Sequence, residues 1–166
     1  MRICCIVPIK HNSERVPGKN FRLFNGFPLF EIMIKKLVDC SPITTIVIDT
    51  NSQTVISILE EKYKNLNIQI YNRPEHLWSG DTPTNVLLEN VIADLKLDDY
   101  DFFLQTHVTN PLLSVKTIEN CIHTYLEQKE NGFDTLMTVK VLHTRLYTKS
   151  ETNMVSALNH NPNELI

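Results

Sequence analysis

Three cations stand close together near the start of the chain, Lys10, Arg15 and Lys19, with Ser13 among them. Lysine and arginine donate to phosphate oxygens, and a serine hydroxyl and backbone N–H groups can add uncharged donors. Together these groups could surround a polyphosphate. The segment reads PIKHNSERVPGKN from Pro8 to Asn20. It lacks the glycines of the Walker loop and of the dinucleotide-binding fingerprint, so neither motif describes it. On composition alone a basic surface loop is an equally good reading.

The elements around this segment decide where it sits. Arg2 to Ile9 (RICCIVPI) is a short continuous apolar run, as expected for a strand buried on both faces. Asn25-Gly26 turns the chain, and Pro28 opens a helix whose core stripe is read as Leu29, Ile32, Ile34 and Leu37. Thr45 to Asp49 is a β-branched strand, with Asn51 or Ser52 as cap for a helix over Val55 to Tyr63. Asn67 to Tyr71 is a strand, and Pro83 to Leu97 a helix with Asp81 or Thr82 as its cap. Phe102 to Gln105 is a strand, Ser114 to Gln128 a helix capped by Ser114, and Thr135 to Val141 a further strand. Strands alternating with helices of this length predict an α/β fold, a parallel sheet with helices on both faces. Ligands of such sheets bind beyond the carboxyl ends of the strands, which is where the basic segment follows the first strand.

At 166 residues the chain suits one globular core, with 42% hydrophobic and 21% charged residues. A net charge of -3 argues against a nucleic-acid partner, which needs an excess of cations. Cys4, Cys5, Cys40 and Cys121 show no metal-type spacing and no disulfide framework. The apolar start ends at Pro8 and Lys10, too short for a signal peptide or a membrane span, so a cytoplasmic location is expected. His11 and His107 follow strands at the ligand edge, where a lone histidine is more often incidental than catalytic.

The order of residues in the basic segment resembles the N-terminal signature P-A-R-x-G-S-K-x-x-P-G-K-N of the CMP-sialic acid and CMP-Kdo synthetase family of cytidylyltransferases. Pro8, Ser13, Pro17, Gly18, Lys19 and Asn20 match it, Lys10 stands at its arginine, and Glu14 at its lysine. Gly26-Phe27-Pro28-Leu29 resembles the family's G-K-P-L, and IVIDTNS (Ile46 to Ser52) its V-S-T-D-S. Arg73-Pro74 with Asp81-Thr82 resembles R-P followed by D-T, and Leu104-Gln105 with Asn110-Pro111-Leu112 resembles L-Q-P-T-S-P-L. Thr144 to Tyr147 and Asn159 to Ile166 are similar to the acylneuraminate branch, so the likeness spans nearly the whole chain.

The resemblance implies a three-layer, Rossmann-like nucleotidyltransferase fold with a mostly parallel central sheet. It implies transfer of CMP from CTP to a nonulosonic, sialic-acid-type sugar, with Mg²⁺ and release of pyrophosphate. By position it makes Lys10 and Lys19 catalytic and puts Ser13, Arg15, Asn20, Arg73 and Thr84 on the nucleotide. Gln105 falls to the sugar or nucleotide. The family's acidic metal ligands lie later than Ile166, so none is assigned, and a shortened, catalytically incomplete binding module stays open as an alternative. So does a Kdo-type or other nucleotide-sugar pyrophosphorylase. Residues 1–141 are expected to form the nucleotide-binding domain and 142–166 a partial extension that joins two copies in a homodimer.

Overall fold

The computed structural model describes residues 1–13, 15–141 and 144–159. Four strands pair in parallel: β1 (Ile3–Ile9), β4 (Thr45–Thr50), β5 (Ile68–Asn72) and β6 (Phe102–Gln105), in the order β5-β4-β1-β6. Between β1 and β4 lie a two-stranded hairpin, β2 (Leu23–Phe24) with β3 (Phe27–Pro28), and helix α1 (Leu29–Val38). Asn25 and Gly26 form its two-residue turn with φ of 50° and 82°, the left-handed pair that matches strand twist. Helix α2 (Gln53–Lys62) joins β4 to β5, α3 (Thr84–Asp94) joins β5 to β6, and α4 (Val115–Lys129) follows β6.

Parity along the strands sorts the helices onto two faces. Ile3, Cys5, Val7 and Ile9 of β1 pack with Ile46 and Ile48 against α1, α2 and α4. Cys4 and Ile6 pack with Val47 and Tyr71 against Val91 of α3. The sheet is thus the middle of three layers, as the sequence pattern predicts. Both β1 and β4 are buried almost throughout, which is why their sequences are continuously apolar rather than alternating.

Several local expectations change. The core face of α1 is Phe30, Met33, Ile34 and Leu37, with Leu29 and Ile32 only half-buried. The helix is apolar nearly all round, and the i, i+3, i+4, i+7 stripe runs through Phe30 instead. Neither Asp81 nor Thr82 caps α3: Pro83 holds the cap position and has no side-chain acceptor to offer. Ser52 and Ser114 do cap α2 and α4, accepting from the amides of Val55 and Thr117. No strand forms over residues 135–141.

A compact unit covers Met1–Asp134, and a second unit begins at Thr135. Within the second, β7 (Tyr147–Lys149) and β8 (Val155–Ala157) make an antiparallel hairpin that the sequence pattern does not announce. Asn159 fastens its open end, accepting from the Leu146 amide and donating to the Thr144 carbonyl. No helix among the described residues is long and apolar enough to cross a membrane.

Candidate functional site

The strand order fixes where a ligand can enter. From β1 the chain moves outward to β4 and β5, then returns to place β6 on the other side of β1. Helices α1 and α2 cover one face during the outward run, and α3 covers the other on the return. The strand order thus reverses at β1, whose carboxyl end lies beside that of β6, and ligands of such sheets bind beyond strand ends placed this way. The basic segment follows β1 at that edge, and the stretch after Gln105 follows β6.

Loop 10–20 is pinned at several points. The Asn20 amide donates to the Lys10 carbonyl at 2.8 Å, closing the loop on itself. A 3-10 turn over Lys19–Phe21 starts at Gly18, whose φ of 65° is left-handed and suits glycine. The His11 amide donates to Asn51 Oδ1 at 2.9 Å, and His11 Nδ1 lies 2.8 Å from Ser52 Oγ. The His11 ring also packs on Phe21 at 5.4 Å between centroids. His11 thus ties this loop to the cap of α2.

Lys10, Arg15 and Lys19 form no ion pair among the described residues. Lys10 and Lys19 are half-buried, and Arg15 is exposed. Three uncommitted cations on one closed loop at the sheet's switch point suit an anionic ligand. Ser13 is half-buried in the same loop, and Glu14 lies outside the described residues.

The other candidates come from separate elements of that edge. Gln105 pairs in register with Ile6, which puts it on the α3 face of the sheet. It is exposed, and its Nε2 lies 3.3 Å from a ring nitrogen of His107. Thr84 is exposed at the first turn of α3. Arg73 follows β5 and is buried: Nε and Nη2 donate to the two carboxylate oxygens of Asp49 at 2.9 and 2.7 Å. Burial raises the Asp49 carboxyl above its ordinary value, and Arg73 offsets part of that rise.

Two buried side-chain atoms among the described residues have no hydrogen-bond partner, Asn20 Oδ1 and Arg73 Nη1. Buried polar atoms are ordinarily paired, so an unpaired acceptor and an unpaired donor mark their surroundings as a place for a ligand. Both belong to residues that the family pattern puts on the nucleotide.

Sequence reasoning missed two residues that shape this edge. Asp49 interrupts a β-branched run, and an acid inside a buried strand requires a cation; that signal was available. Lys36 of α1 donates to the carbonyls of Pro111 and Leu113 and so holds the loop after β6. Nothing in its local sequence distinguishes it from Lys35. A hollow of about 480 Å³ lined by Leu59, Tyr63, Ile68 and Ile70 lies between α2 and β5, with no candidate residue in it.

No three His, Cys, Asp or Glu side chains among the described residues gather as a metal site. A metal cage built by the protein alone is thus absent among the described residues, whereas Mg²⁺ carried on a triphosphate needs only one or two carboxylates.

A family model described as cytidylyltransferase matches residues 4–163. CMP-N,N'-diacetyllegionaminic acid synthase of Legionella pneumophila is 36% identical over 58 residues, covering 35% of this chain and 25% of that protein. A CMP:2-keto-3-deoxy-manno-octonic acid synthetase solved with CTP aligns at a TM-score of 0.60 and 13% identity, over 78% of this chain and 49% of its own. A 4-diphosphocytidyl-2C-methyl-D-erythritol synthase aligns at 0.67 and 8% identity, over 95% and 68%. At those identities the structural likeness concerns the fold. The chain spans about a quarter of the curated relative and about half of the first of these structures.

Proposed function

The chain belongs to the cytidylyltransferase family, and from that premise we propose that it transfers CMP from CTP to a nonulosonic, sialic-acid-type sugar. The observation that carries this reading is the closed loop beyond β1, whose Lys10, Arg15 and Lys19 form no ion pair among the described residues. The likeness to a legionaminic acid synthase supports the sugar class.

In this reading the anomeric oxygen of the sugar bonds to the α-phosphorus of CTP while the bond to the pyrophosphate oxygen breaks. The hydroxyl gives up its proton and pyrophosphate leaves. Lys10 and Lys19 hold the phosphate oxygens and offset the charge that grows on them, where fixed cations are most effective. Ser13 and Arg15 line the same loop. Asn20, Arg73 and Thr84 meet the base and ribose, and Gln105 meets the sugar or the nucleotide. Mg²⁺ belongs to the proposal as a companion of the triphosphate, without an assigned protein ligand. A homodimer and a cytoplasmic location complete it.

The Kdo-type alternative keeps the same fold, which a CMP-2-keto-3-deoxy-manno-octonic acid synthetase shares. Pyrophosphate release from CTP, measured with a sialic-type acid and with Kdo in parallel, separates the two. Calorimetry should show CTP binding that Lys19→Ala weakens by about tenfold or more, the effect of losing one charged phosphate contact. A folded chain that binds no CTP would defeat the proposal, and binding without turnover would reduce it to the nucleotide-binding module.

A further inference from the structure

We propose that Asp49 is a positioning residue: it locks the Arg73 guanidinium so that Nη1 alone is left for the nucleotide, and this lock sets a preference for cytosine over uracil. The inference rests on the reading of Arg73 as a base-contacting residue.

The guanidinium is held from every other side. Asp49 is fully buried and Arg73 is 2% exposed. Besides the two carboxylate contacts, Nη2 donates to the Asp49 carbonyl at 3.2 Å. The backbone is fixed as well: the Arg73 amide donates to the Thr50 carbonyl at 2.9 Å, and the Arg73 carbonyl accepts from the Trp78 indole at 2.8 Å. A side-on, two-point pair of this kind sets the plane of the guanidinium, not only its distance. What remains is Nη1, buried and without a partner.

The fold itself gives no reason for this arrangement. The rest of β4 is Thr45-Ile46-Val47-Ile48 and Thr50, and an apolar side chain at position 49 would pack on the α3 face beside Val47 and Tyr71. A buried ion pair is rarely better for stability than an apolar replacement. The motif V-S-T-D-S that this strand resembles has serine at the corresponding place.

The remaining donor discriminates between pyrimidines. Arginine offers only N–H groups. Cytosine presents adjacent acceptors at O2 and N3, whereas uracil carries a hydrogen at N3. A fixed Nη1 can donate to the cytosine edge but meets the uracil N3–H donor against donor. A guanidinium free to turn could reach O2 alone, which both bases share. Selectivity thus depends on Asp49, a residue that need not touch the nucleotide.

The test is calorimetric titration of the full chain with CTP and with UTP, for the native sequence, Asp49→Glu and Asp49→Asn. The native chain should bind CTP at least about tenfold more tightly than UTP, as sites with a mismatched buried donor do. Asp49→Glu keeps the charge on Arg73 but moves the carboxylate by a methylene, and the ratio should fall to within about threefold. Asp49→Asn should lower it similarly if it folds; if it does not, Asp49→Glu decides. A native ratio near one overturns the inference. So does a folded variant that keeps the native ratio while losing only thermal stability, since that is what a purely structural pair would do. A native chain that binds neither nucleotide defeats the underlying reading instead, which keeps the two failures apart.

Discussion

Strand β4 and residues 135–141 are similar in composition and opposite in fate. The first reads TIVIDT and the second TLMTVKV, both rich in β-branched residues. Every residue of β4 is buried, with β1 on one side and β5 on the other. Residues 135–141 join no ladder, and Met137, Val139 and Val141 are each more than 70% exposed. Propensity is therefore a licence and not a cause: a strand forms where neighbours supply both its hydrogen bonds and its apolar cover.

The strongest attack on this contrast is a pair of identical substitutions. Ile48→Asp places an unpaired charge in the centre of the sheet and should cost more than about 4 kcal/mol, enough to unfold the chain. Val139→Asp should change stability by about 0.5 kcal/mol or less. Urea denaturation followed by circular dichroism measures both, and similar losses would show that 135–141 is as well supported as β4.

Alkaline pH probes the same difference, because all four cysteines precede residue 135. Burial pushes the Cys4 and Cys40 thiols from 9.0 up to about 11. Their contribution is complete below pH 9, where folded and unfolded thiols alike are neutral. As pH rises from about 9 to 11 only the unfolded state ionises, and stability should fall by about 2 kcal/mol for each thiol. Tyr63 and Tyr71, raised by burial and by their bonds to Glu31 and Asp94, act in the same direction. Denaturation midpoints that stay level between pH 8 and 11 would contradict this account of the first unit.

Capping gives the smallest effect. Ser52→Ala should cost about 1 kcal/mol, because the Val55 amide loses its acceptor. Thr82→Ala should cost almost nothing, since Pro83 occupies the cap of α3. Differential thermal melts of the two variants provide the comparison.

How much of this could be read from the sequence depended on how local the cause was. The four parallel strands up to Gln105, the Asn25-Gly26 turn and the Ser114 cap of α4 were legible, because each depends on a few adjacent residues, while β2 and β3 were not and the cap of α2 lay between Asn51 and Ser52. The three cations of the first loop stood out because they follow an apolar strand. The Asp49–Arg73 pair was harder, since it depends on β4 and β5 lying side by side. The phase of α1 was ambiguous because apolar residues nearly surround it. Residues 135–141 carry strand propensity, but no described residue pairs with them, and no strand forms there.

The carboxyl edge of the sheet also has a history within the life of each molecule. Strands β1, β4 and β5 are all available once synthesis has reached Asn72, whereas Ile3 waits for Phe102 before its second side is covered. Until then the nascent chain carries β1 as an open edge, the kind of surface that invites pairing with other chains. The carboxyl edge of the sheet is incomplete in that interval, because β6 and the loop after it have not been made. A ligand that needs the finished edge can therefore reward completion of the sheet but cannot guide its first steps.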